Sequence, residues 1–71
     1  MQKYLLNEDT EFITLGQLLK ELGIIPTGGA AKWFLAENPV KIDGEFDDRR
    51  GRKLYRSMTI EIEEGLVIEI N

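Results

Sequence analysis

The sequence predicts an α+β fold in which a two-helix hairpin packs on a small, mainly antiparallel sheet. Three observations lead there: a capped leucine stripe, a second helical stretch stopped by Asn38-Pro39, and two turn-centred strand pairs in the C-terminal half. At 71 residues the chain is read as one domain, residues 1–71, with a core motif at about 13–62 and no room for a second core. Hydrophobic residues make up 42% of it and cysteine is absent, so apolar packing alone must hold the fold.

The first helix is signalled by Ile13-Thr14-Leu15-Gly16-Gln17-Leu18. Thr14 suits the N-cap, Gln17 completes a capping box, and Ile13 can staple onto Leu18. Leu15, Leu18, Leu19 and Leu22 then recur on one face, and Gly23 supplies a left-handed C-terminal residue. Ile24-Ile25-Pro26 reads as an extended link, after which Thr27 can cap a second helix running to about Glu37. On that helix Ala31, Phe34 and Leu35 share one side, leaving Gly29, Lys32, Trp33 and Ala36 nearer the other.

Asp43-Gly44 between Val40-Lys41-Ile42 and Glu45-Phe46 is a two-residue hairpin signal, because both turn positions favour positive φ. Asp47 to Gly51 reads as a polar loop. Met58 to Ile62 and Leu66 to Ile70 alternate as strands around Glu63-Glu64-Gly65, and Lys3 to Leu6 with Phe12-Ile13 offers a further strand.

Charge is uneven. The net formal charge is -4, yet five of the nine Lys and Arg residues (Arg49, Arg50, Arg52, Lys53 and Arg56) fall in one short window. The acids gather elsewhere, at Glu8, Asp9 and Glu11 and at Glu61, Glu63, Glu64 and Glu69. Screening acts over roughly 8 Å at physiological ionic strength, so a bound anion responds to its local patch more than to distant acids.

Catalysis is poorly supplied, with no histidine, no cysteine and a lone Ser57; a non-enzymatic protein is expected, with no cofactor and no metal. Asp47-Asp48 lacks supporting ligands and stands beside Arg49 and Arg50, which favours local charge pairing over a metal or acid-base role. Thr27-Gly28-Gly29 at a helix start offers backbone N–H groups free of side-chain obstruction, suited to a phosphate. Gly-Gly there is, by itself, more often turn chemistry; Lys32 one turn along and the Arg49-Arg50-Gly51-Arg52-Lys53 run raise the weight of the phosphate reading. Trp33 and Tyr55 each suit either a core edge or stacking on an unpaired base. No leader or spanning segment is apparent, so a cytoplasmic protein with no membrane partner is expected.

The order of these features resembles the RNA-binding domain named after ribosomal small-subunit protein four, the αL RNA-binding motif, and most of all its stand-alone YaaA/YbcJ-like members. The resemblance rests on Leu15, Leu18, Leu19 and Gly23, on Thr27-Gly28-Gly29-Ala30-Ala31-Lys32, on Val40 to Gly44 and on Arg49 to Leu54. It implies a ribosome-associated or ribosome-assembly factor that binds structured RNA, ribosomal RNA first and transfer RNA second, with no DNA partner. The contacts it implies are Thr27, Gly28, Gly29, Lys32, Lys41 and the loop residues Arg49, Arg50, Arg52 and Lys53; Trp33 joins them as a candidate stacking residue. The chain departs from the family in having Gly28 where many members have arginine, and Ser57-Met58 in place of a glycine and an acid. The rival reading is a protein-interaction module that docks its basic loop on an acidic protein partner.

Overall fold

In the computed structural model, which describes residues 1–71, helix α1 spans Leu15–Glu21 and helix α2 spans Ala31–Glu37. The Thr14 hydroxyl accepts from the Gln17 N–H at 3.3 Å, a cap that contributes about 1 kcal/mol. The Gln17 amide does not reach back, so the expected capping box is half made, and this side chain stays exposed. Gly23 has φ +75. Around it the Ile24 N–H donates to the Leu19 carbonyl and the Gly23 N–H to the Lys20 carbonyl, both at 3.0 Å, which is the Schellman closure that a left-handed residue permits.

Residues 24–26 bend instead of running extended as expected. Thr27 sits in the cap position, but its hydroxyl makes no capping bond, and Gly28–Ala30 forms a single 3-10 turn before α2. The reason is local: Gly28 and Gly29 have weak helical preference, so the tighter turn, closed by Ala30 N–H to Thr27 carbonyl at 3.1 Å, replaces a first α-helical turn.

Five strands form the main sheet: β1 (Gln2–Tyr4), β3 (Val40–Ile42), β4 (Glu45–Asp47), β6 (Thr59–Glu63) and β7 (Leu66–Ile70), in the order β1-β7-β6-β3-β4. The β3–β4 hairpin turns at Asp43 (φ 50) and Gly44 (φ 90), as the Asp-Gly signal requires. β1 runs parallel to β7, while the other pairs are antiparallel. The segment expected to add one strand adds two, because β2 (Phe12–Thr14) leaves the main sheet and pairs antiparallel with β5 (Lys53–Tyr55), a strand that the polar sequence around it did not announce. Asp47 also closes β4 and does not open the loop.

One core of 15 buried apolar residues joins the leucine stripe of α1, Ala31 and Leu35 of α2, Ile13 and Leu54 of the small sheet, and the inward row Val40, Ile42, Ile60, Ile62, Ile68 and Ile70. Strand alternation then turns Lys41, Thr59, Glu61 and Glu69 to the opposite face of the sheet. The helices therefore cover one face only. The α1 start, the 3-10 turn and the loop between β4 and β5 remain at one end, where the candidate site lies.

Candidate functional site

The arginine-rich loop is organised by Asp47, whose side chain is only 8% exposed. Its carboxylate accepts from the Arg49 backbone N–H at 2.8 Å, from Arg49 Nη2 at 2.7 Å and from Arg52 Nη1 at 2.9 Å. The guanidinium of Arg49 dominates and, with that backbone bond and Arg52, outweighs the cost of burial and holds the Asp47 carboxyl well below the usual carboxylate range. Two of the four cations in the Arg49–Lys53 run are thus already engaged inside the molecule, the local charge pairing expected at Asp47.

The loop backbone docks on α1. Leu15 N–H donates to the Arg52 carbonyl at 2.9 Å and Gly16 N–H to the Arg50 carbonyl at 2.8 Å. These are donors that a helix start leaves without intrahelical partners, so the loop supplies the acceptors that an outside ligand would otherwise offer. The Arg50 side chain, in no ion pair, is left exposed.

Between these parts lies an open groove of about 470 Å³ with no hydrophobic residue in its lining: Thr14, Gly16, Gln17 and Lys20 from α1 and its cap, Gly28 from the 3-10 turn, Arg50 and Gly51 from the loop. Of the residues expected from sequence, it brings Gly28 and Arg50 together; Thr27 and Gly29 are exposed neighbours of Gly28. The sequence reading missed Lys20 and Gln17. Their signal was present, since they lie three residues apart and so share a helix face outside the leucine stripe.

The remaining expected residues lie outside the groove lining. Lys32 and Trp33 are exposed on α2, with Lys32 Nζ 5.6 Å from the Trp33 ring centroid and Trp33 72% exposed. Lys53 Nζ lies 4.9 Å from the Phe12 ring centroid on the small sheet, beside Tyr55, whose ring packs 5.8 Å from Phe12. Lys41 stands apart, on the outer face of the main sheet, 5.1 Å over the Phe46 ring. Arg56, counted in the basic window, donates to the Thr10 and Asn7 carbonyls at 2.8 Å each and acts as a clamp on the segment before β2. No three acids come together as they would need to for a metal ion.

A two-helix hairpin on a mainly antiparallel sheet, with a cationic groove where both helix starts meet an arginine loop, defines a small α+β domain of a recognisable class. The chain belongs to the S4 domain family, whose model matches residues 6–71. It is 58% identical over 55 residues to the "Probable ribosome maturation protein RlbA" of Bacillus subtilis (strain 168), a stretch amounting to 78% of each chain.

Proposed function

We propose that this protein binds structured RNA, ribosomal RNA above transfer RNA, as a non-enzymatic factor in ribosome maturation. The single observation that carries the reading is the convergence of Lys20 and Arg50 on a groove floored by Gly28, without an ion-pairing acid among its lining. Membership of the S4 domain family and similarity to a ribosome maturation protein support the choice of RNA and of process.

Mechanistically, Arg50 presents a planar fork to phosphate oxygens and Lys20 a point charge, while Gly28 and Gly51 let the sugar–phosphate chain approach the backbone. Lys32 and Lys53 add exposed positive charge outside the groove lining. Contacts of this kind fix register without reading bases, so selectivity comes mainly from RNA shape. Arg49 and Arg52 serve chiefly through Asp47, by giving the loop one conformation and so aiming Arg50.

The test is a salt titration of binding to a ribosomal RNA fragment for the wild type, Lys20→Glu/Arg50→Glu, and Lys3→Glu, a control on β1 away from the groove. The double reversal is expected to lower affinity more than tenfold and to flatten the log–log salt dependence, which gains roughly 0.7–0.9 per neutralised phosphate. Salt-independent binding, or an equal loss in the control, overturns the proposal.

A further inference from the structure

A second depression adjoins the groove and differs from it in chemistry. It is a slot of about 120 Å³, bounded by Tyr4, Leu5, Asn7, Thr10, Phe12 and Gln17, with two aromatic side chains in its walls and mostly polar surface exposed between them. Gln17 lines both spaces. One space is cationic, the other is walled in part by Tyr4 and Phe12 with polar groups exposed between them, and they meet at a side chain carrying both an amide donor and a carbonyl acceptor. A nucleotide has the same two-part character, a charged phosphate joined to a flat ring with apolar faces and a hydrogen-bonding edge.

We propose that the slot receives one unpaired base of the bound RNA while the adjoining phosphate lies in the groove, with the Gln17 amide meeting the base edge. The inference rests on the RNA-binding reading above and adds to it a nucleotide site with a base-recognising residue. Room for roughly four waters suits a single flat ring and excludes a paired helix. Gln17 is exposed and its amide makes no intramolecular hydrogen bond, so it costs nothing in the fold to engage a base. Phe12 supplies an aromatic face, and Lys53, 4.9 Å from that ring, adds positive charge nearby. Two residues that bound the slot are fixed in place: Arg56 ties the Asn7 and Thr10 carbonyls at 2.8 Å each. Burial and then the nearby Glu21 carboxylate push the Tyr4 phenol up, so it remains a protonated donor.

The experiment compares a stem-loop RNA carrying one unpaired nucleotide in its stem, made with each of the four bases, against the same stem-loop without it. Wild type is expected to bind at least one unpaired-nucleotide form about tenfold more tightly, the scale of one base stacking on an aromatic side chain. Gln17→Ala should lose discrimination among the four bases, and Leu5→Glu, which places charge at the mouth of the slot, should lose the preference for an unpaired nucleotide. Both positions are exposed, and thermal melts of both variants should match wild type. If wild type binds all the RNAs equally, the slot is not a base site although the groove reading stands. If both variants keep wild-type preferences, the unpaired base is read elsewhere and the proposal is overturned. If wild type binds none of them, the RNA reading and the slot fall together.

Discussion

The Gly16 N–H donates to the Arg50 carbonyl oxygen at 2.8 Å, and a Cβ at Gly16 would stand 3.3 Å from that oxygen, from the Arg50 Cβ and from the Ala31 Cβ. Helix α1, helix α2 and the arginine loop thus meet at one point where a Cβ fits only if its neighbours yield by a few tenths of an ångström. Gly16→Val is expected to lower stability by about 1–3 kcal/mol, as overpacking does, and to displace Arg50 from the groove. Gly28→Ala and Gly51→Ala should be close to neutral, since nothing lies within 4 Å of their Cβ positions. Urea unfolding of the three variants checks this, and equal losses in all of them would refute it.

Asp47 gives the loop its pH dependence. Its folded pKa is depressed from an ordinary 3.8 by Arg49 and Arg52, so its contribution is complete above that ordinary value and is lost as pH falls through the depressed folded value. Asp47→Asn should lower stability at neutral pH by about 1.5–3 kcal/mol, the range for hydrogen bonds to a charged group. Below about pH 4 the difference between wild type and variant should shrink with further acidification. A difference that stays constant down to acid-induced unfolding would show that the carboxylate charge is not what holds the loop.

Ser57 occupies a glycine's conformation. It has φ 77 at the third position of the turn in which the Met58 N–H donates to the Tyr55 carbonyl at 3.1 Å, where a type II geometry favours glycine. Ser57→Gly removes the left-handed cost of an L side chain, less the extra flexibility of glycine in the unfolded chain. A rise in stability of about 0.5–1 kcal/mol is the expected net, read from the melting temperature; no rise would mean that the serine is not strained there.

Arg56 separates structural from RNA-facing cations. Because its guanidinium bridges two backbone carbonyls, Arg56→Ala should loosen residues 7–10 and cost about 1–2 kcal/mol. Hydrogen exchange should quicken in that segment while the salt dependence of RNA binding keeps its slope, in contrast to Lys20→Glu/Arg50→Glu. A flattened slope in Arg56→Ala would place this residue among the phosphate contacts.

Much of the fold was written in local chemistry. The Thr14 cap, the leucine stripe, the Gly23 closure and the Asp43-Gly44 turn each act over a few neighbouring residues, so they can be read before any tertiary contact exists. The S4-type order of these elements was legible for the same reason, as was the exposed position of Lys32, whereas Trp33 suited either a core edge or the surface until the structure put it outside. Tertiary structure decided the rest. The parallel pairing of β1 with β7 and the separate β2–β5 ribbon join segments from opposite ends of the chain, and short strands such as Lys53–Tyr55 owe their pairing to the packing of Ile13 and Leu54 more than to their own sequence. Above all, an arginine-rich run states only that cations are present. Which of them face solvent depended on Asp47 being carried to a nearly buried position at the end of β4, where it claims Arg49 and Arg52 and leaves Arg50 for the groove; a carboxylate so withdrawn from water takes the nearest guanidiniums, and no feature of the linear charge pattern records that withdrawal.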